Sequence, residues 1–508
     1  MNPTTDPTPG GAPHGPRSSA THAPARSLSS AQPARDEGSI ERNEQPPSVP
    51  TADPTAILWL RRDLRRADHP ALAAAAAGGA RVLPVFVIDP AFWDGAGDVR
   101  RGWLAATLLA TDEAYDGRLC LLQGDPRQVI PSLAAELGAT TVHVSAETEP
   151  PGHARDLAVS ELLREREVAW VETGSPYAVT PGRVRNAEGG PFKVFTPFAR
   201  AWREHGWRGP AVEPTGLSFV RREGDHDAWV LVHEALQACP VELPPAGERA
   251  ALRRWARFSD QRLSDYDADR DRPDLDGTSR LSPYLKFGVV HPRTLLADLA
   301  ERPGKGTDRF ISELAWREFY ADVLWHKPDT LTSDLRPELA TLAYDEPDER
   351  FEAWQQGRTG YPIVDAGMRQ LLATGWMHNR VRMIAASFLT KDLHLWWPLG
   401  AQHFLDHLID GDLASNTHGW QWTAGTGTDA SPYFRVFNPT SQGERFDPSG
   451  DYVRRWVPEL SHLPGPAAHR PWDHSQGYAH GYPQPIVDHA AQRVVALERY
   501  RLAREHGR

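Results

Sequence analysis

The sequence predicts an α/β N-terminal half built on a parallel sheet, followed by an all-α C-terminal half. Three observations carry this reading. From residue 55 to about 172, short apolar runs alternate with longer helical stretches. After about residue 250 strand patterns vanish, and helical periodicity broken at Pro, Gly and Asp takes over. Between the two lies a long stretch with many Pro and Gly, unusual inside one compact domain.

In chain order, residues 1–53 are rich in Pro, Ser, Thr, Ala and Arg and nearly free of large apolar groups, so they read as a disordered extension. A transit peptide fits less well, because Asp6, Asp36, Glu37, Glu41 and Glu44 interrupt the basic character. Strands are expected at 55–60 (TAILWL), 81–88 (RVLPVFVI), 118–123 (RLCLLQ), 140–145 (TTVHVS) and 168–172 (VAWVE). Helices between them, such as 100–114 and 126–137, make a Rossmann-like sheet with crossover helices. A nucleotide could bind at the strand ends. The first strand, however, runs into Trp59-Leu60-Arg61-Arg62-Asp63, so the GxGxxG fingerprint is missing there. The domains expected are 54–180 (α/β), 181–250 (linker) and 251–500 (helical).

The 508 residues suffice for two or three domains. A formal charge of −11 excludes a whole-chain basic footprint, so any nucleic-acid contact needs a local patch. The two cysteines, Cys120 and Cys239, lack metal spacing and cannot form a disulfide framework, which fits a reducing cytosol. No apolar run is long enough to span a membrane, and the start lacks the apolar core of a signal peptide. The 18 tryptophans, most of them after residue 250, read either as a core rich in large aromatics or as electron transfer and base stacking.

Four stretches could carry chemistry. In 276–286 (DGTSRLSPYLK), Ser282 before Pro283 reads as an N-cap, and Thr278, Ser279 and Ser282 could meet phosphate; an ordinary capped helix explains the same residues. In 313–320, Glu313, Trp316 and Arg317 share one helix face, suited to a planar heterocycle or to an ion pair beside a core Trp. In 375–391, Gly375 ends one helix; Asn379, Arg380 and Met383 share a face of the next, and Arg382 points the other way. His378 there reads as structural, since no metal partners sit at ligand spacing. In 409–440, Asp410 and Asp412 are either an acid pair for hydrolysis or, beside Trp420-Gln421-Trp422, partners of a flavin ring. No nucleophile or metal set accompanies them.

Together these stretches resemble the DNA photolyase and cryptochrome family, most of all the bacterial class I photolyases for cyclobutane pyrimidine dimers. The resemblance runs from about residue 55 to 500 and rests chiefly on GYPIVDAGMRQLLATGWMHNRVRM and DGDLASNTHGWQWTAGTGTDASPYFRVFNP. It implies an α/β antenna domain and a helical domain that holds FAD. Its phosphates should meet Thr278, Ser279 and Ser282, with Tyr266, Arg280, Arg317 and Trp376 also at the flavin site. Asp410 and Asp412 should face the flavin ring, Arg382 should pair with Asp410, and Asn416 should bond near flavin N5. The activity implied is a carbon–carbon lyase reaction on damaged DNA, in which excited reduced FAD gives an electron to the dimer and receives it back. Glu313 should hydrogen-bond the flipped bases. Trp316 and Trp422 should pack on them, and Asn379, Arg380 and Met383 should line the pocket, with Arg435 and Arg445 in a basic patch for phosphates. Trp420 and Trp397 match the first two members of the family's electron relay. The third position, ten residues before Trp354, is Tyr344 where the bacterial pattern has Trp, expected at the exposed end of the relay; a relay that stops at Trp397, or one that ends at Trp396, Trp325 or Trp354, competes with it. Residues 149–156 lack the Asn-Glu pair of a folate antenna, so a deazaflavin antenna, or none, is expected. Histidines of (6-4) photolyases are replaced by Asn379 and Met383, which favours dimer repair over that rival. A cryptochrome photoreceptor is the non-enzyme rival, opposed by Asn416. The resemblance further implies a cytoplasmic monomer.

Overall fold

Strand β1 (Thr55–Leu60) sends alternate residues to two buried faces. Ala56, Leu58 and Leu60 enter one apolar cluster; Ile57 and Trp59 enter another. Such a strand, apolar throughout and covered on both sides, belongs at the centre of a parallel sheet. The computed structural model, which describes residues 55–428 and 435–506, places it there. The other strands are β2 (Arg81–Ile88), β3 (Cys120–Gln123), β4 (Thr141–Val144) and β5 (Ala169–Glu172). Their order is β3-β2-β1-β4-β5, all parallel, with Thr55 level with Arg81 and Ala56 level with Thr141. Residues 1–53, expected to be disordered, lie outside the described residues.

Crossover helices Asp98–Ala114, Pro126–Leu137 and Pro150–Arg164 connect the strands. The second shows why it forms where it does. Asp125 caps the Arg127 amide, Pro126 opens the helix, and Gly138 closes it at φ 58°.

The segment 181–250 differs from the expected loop-like linker. It contains helix Phe195–His205 and helix His226–Gln237. In the first, Phe195, Phe198, Ala199 and Trp202 recur at helical spacing, and Phe198 and Trp202 are buried. The Pro and Gly flanking these short helices mask their periodicity. Among the described residues no strand follows β5. Helix Lys305–His326 packs into the same apolar cluster as β1, through Phe310, Leu314 and Phe319. A second cluster holds Met368, Phe388, Trp397, Phe404 and Trp420. It joins helices Pro362–Thr374, Asn379–Lys391, Trp397–His407 and Leu413–Ala424.

Candidate flavin and DNA site

Helix Lys305–His326 presents Glu313, Trp316 and Arg317 about one turn apart. The Glu313 carboxylate pairs with the Arg270 guanidinium. Arg270 lies 3.7 Å from Asp271, which accepts a 2.8 Å bond from Arg380. Four alternating charges therefore tie this helix to the first turn of helix Asn379–Lys391. Burial pushes the Glu313 carboxyl above its ordinary value, and Arg270 opposes that shift. Trp316 stacks flat on Phe195, with ring centres 3.7 Å apart, so one of its faces is already covered.

Gly375, at φ 66°, ends helix Pro362–Thr374, and buried His378 starts the next by accepting the Arg380 amide at its Nδ1. Burial lowers the His378 imidazole to about 3, so it stays neutral and structural. Asn379 is exposed, and Met383 one turn on is half-buried. Arg380 and Arg445 both lie over the Phe446 ring, at 4.4 and 5.0 Å. Arg435 lies 5.6 Å over Trp422. These aromatic-backed guanidiniums form a local cationic rim.

The two acids of the fourth stretch part company. Asp410 is 5% exposed, accepts 2.9 Å from Arg382, and keeps its Oδ1 without a hydrogen-bond partner among the described residues. Asp412 was expected at the flavin ring beside it, but both of its oxygens are engaged. One caps the Ser415 amide at 2.9 Å; the other accepts 3.0 Å from Arg62, with Lys286 at 3.8 Å. These cations outweigh burial and hold the Asp412 carboxyl far below the usual carboxylate range. Arg317 is likewise occupied. It donates to the Pro176 and Leu285 carbonyls at 3.0 and 3.1 Å and covers the Tyr177 ring.

Thr278 and Ser279 are half-buried, and Ser282 is exposed. Ser282 does not cap its helix as expected. The left-handed turn at Arg280, φ 48°, brings the chain round early, so Ser282 is already the first helical residue. Arg280 stands 4.7 Å over Trp376. Tyr266 packs on Phe258 and Phe310, and burial pushes its hydroxyl well up. Asn416 donates 3.0 Å to the Ala401 carbonyl.

Trp420 is buried against Phe404 and Trp354, with ring centres 4.9 and 6.1 Å away. Its Nε1 has no hydrogen-bond partner among the described residues. A Cβ at Gly400 would clash with the edge of the Trp420 ring and with Leu389, so only glycine lets the two helices meet there. Trp397, one turn before Gly400, is buried and donates 2.8 Å to Asp334. Tyr344 was expected at an exposed end of the relay. Instead its hydroxyl is buried without a hydrogen-bond partner among the described residues, and neighbouring Asp345 is held by Arg499.

The donor set suits FAD. Asp410 Oδ1 and Trp420 Nε1 are buried polar atoms that a bound heterocycle would satisfy, and buried polar groups are seldom left unpaired. Sequence reasoning did not single out Arg62, Tyr177, Arg270, Asp271, Lys286 or Asp334. A charged triplet at the end of an apolar strand, Arg61-Arg62-Asp63, was the one available signal.

Two family models match. Residues 310–502 match the FAD binding domain of DNA photolyase, and residues 56–215 match DNA photolyase. A deoxyribodipyrimidine photo-lyase of Alkalihalophilus pseudofirmus is 37% identical over 470 residues, covering 88% of this chain and 98% of that protein. A class III photolyase from Agrobacterium tumefaciens superposes with a TM-score of 0.82 at 36% identity, over 90% of this chain and all of that one. An archaeal photolyase from Sulfolobus tokodaii, described with two FAD molecules, superposes with a TM-score of 0.76 at 29% identity, over 88% of this chain and all of that one. Fold and site thus define a flavoprotein with an α/β half and a helical, FAD-binding half. The chain belongs to the DNA photolyase family, and its activity is light-dependent DNA repair by a photolyase.

Proposed function

We propose that the chain splits cyclobutane pyrimidine dimers in DNA, using light and reduced FAD. The supporting observation is the charge chain Glu313–Arg270–Asp271–Arg380. It brings the two stretches read as base-contacting to one place, although they lie far apart in sequence. Asp410 with Arg382, Asn416, Trp376, Tyr266, Arg280, Thr278, Ser279 and Ser282 would hold FAD. FAD supplies the electron that light sends into the dimer.

The chain's own groups do the rest. The lesion must leave the stack, at a cost of roughly a few kcal/mol that a damaged pair reduces. Phosphates on either side meet Arg380, Arg435 and Arg445, which carry no sequence information. Trp422 and Trp316 offer aromatic surfaces for stacking. Glu313 faces the base edges, and Arg270 governs its charge. Asn379 and Met383 complete the pocket wall and leave no histidine pair there for (6-4) chemistry.

The test is light-dependent repair of two oligonucleotides, one with a cyclobutane dimer and one with a (6-4) lesion. Repair of the first alone is expected. Repair of the (6-4) lesion alone would overturn the reading. A light-harvesting second chromophore belongs to the same proposal, and the pigments released on denaturation identify it as deazaflavin, folate or a further flavin.

A further inference from the structure

The two residues considered for the outer end of the relay differ in one chemical respect. Oxidising an indole or a phenol produces an acidic cation, and a separated charge survives only if that cation sheds its proton. Trp397 has a base in place. Its Nε1–H donates 2.8 Å to Asp334 Oδ1. Tyr344 lies near enough to feel the Asp334 charge but makes no bond to it, and its buried hydroxyl has no hydrogen-bond partner among the described residues. Tyr344 borders a cavity of about 600 Å³ lined also by Asp334, Lys327, Asp329 and Trp396, and Trp397 reaches it through its bond to Asp334. Trp396, 40% exposed, has its ring centre 6.5 Å from that of Trp397. The helix Trp397–His407 meets Trp420 at Gly400, one turn from Trp397.

We propose that Asp334 is the proton acceptor for Trp397, and that Trp397, not Tyr344, is where photoreduction of the oxidised enzyme becomes irreversible. The inference rests on the FAD-dependent reading above. One electron leaves Trp397 inward through Trp420 toward photoexcited oxidised flavin. The Trp397 Nε1–H bond breaks, an O–H bond forms on Asp334, and a neutral tryptophan radical remains. A soluble thiol then returns one hydrogen atom to that radical, and Asp334 loses its proton to water in the cavity. Asp334 carries no net change over the cycle. Burial raises the Asp334 carboxyl, and its bond from Trp397 opposes the rise, so the base is stronger than an exposed aspartate.

The experiment is transient absorption of the holoenzyme with oxidised flavin, in H2O and D2O, for the native protein, Asp334→Asn, Asp334→Glu and Tyr344→Phe. FAD content and melting temperature are measured for each. Native protein is expected to form a neutral tryptophan radical whose appearance slows in D2O. In Asp334→Asn the carboxamide can still accept the hydrogen bond but cannot take the proton. The cation radical should persist there, the D2O effect should vanish, and the radical lifetime should shorten about tenfold, the effect of roughly one pKa unit of driving force. Asp334→Glu should restore the neutral radical in part, and Tyr344→Phe should match the native protein. A neutral radical formed at the native rate in Asp334→Asn overturns the proposal, as does a tyrosyl radical lost only in Tyr344→Phe. Absence of any aromatic radical in the native protein removes the relay and this role together. Repair by pre-reduced enzyme would then still stand or fall by itself.

Discussion

At the scale of single residues, Asp410 and Glu313 are two buried or half-buried carboxylates with different partners. Asp410 has only Arg382 on one oxygen. Removing that cation by Arg382→Leu leaves a buried uncompensated charge, which typically costs about 3–5 kcal/mol. The expected result is a lower urea midpoint and FAD lost on gel filtration. Glu313→Gln keeps the shape but not the charge, so Arg270 is left with Asp271 alone, 3.7 Å away. Dimers repaired per absorbed photon should fall while FAD content stays at the native level. The sequence made Glu313 visible through its spacing from Trp316 and Arg317. It could not show Arg270, because the partner lies 43 positions earlier and no local periodicity links them. The same holds for Asp412, whose neighbours in sequence suggested a flavin contact and whose neighbours in space are Arg62 and Lys286.

Between elements, helix Lys305–His326 clamps the chain that leaves the sheet. Its Glu318 accepts from the amides of Ala178 and Val179 and from the Trp202 indole, and Asp322 accepts from the Gly182 amide. Burial pushes the Glu318 carboxyl up to about 7, against those hydrogen bonds. A folded value above the ordinary 4.5 means the folded state binds the proton more tightly. Its stabilisation is complete below about 4.5 and is lost as pH rises toward 7. The stability of native protein minus that of Glu318→Gln should therefore fall across this window, by at most about 1.4 kcal/mol per pH unit. Urea unfolding at several pH values measures it, and an unchanged difference would refute the shift. A second contact between elements is Gly400 under Trp420. Gly400→Ala should cost about 1–3 kcal/mol by overpacking and should perturb photoreduction more than repair by pre-reduced enzyme. All five strands were legible to within two residues at each end, because apolar runs bounded by turns have few alternatives. Helix Phe195–His205 was not, since its apolar face is short and lies between Pro and Gly segments.

Across the whole molecule, the α/β half and the helical half are joined by buried charge as well as by apolar packing. Arg62, just beyond β1, bonds Asp412, Glu147, Glu149 and the Tyr177 hydroxyl. Lys286 bridges Glu149 and Asp412 from the other side. Arg62→Leu leaves three carboxylates with one lysine, and breaking such a cluster typically costs about 3–5 kcal/mol. Flavin fluorescence and circular dichroism should then report unfolding at different urea concentrations, where the native protein shows one transition. The sequence signalled both halves through their contrasting periodicities, but not this junction, whose members are drawn from five separated segments.

The Arg62–Asp412 bond spans 350 positions. At a synthesis rate of about 5–20 residues per second, the guanidinium waits roughly 20–70 s for its carboxylate. Until then Glu147, Glu149, Tyr177 and the Lys286 carbonyl hold it. The helix that bears Asn416 and Trp420 begins at the residue Arg62 finally receives. The pigment site is therefore among the last parts of the nascent chain to mature, and its closing partner is one of the first residues of the sheet to be made.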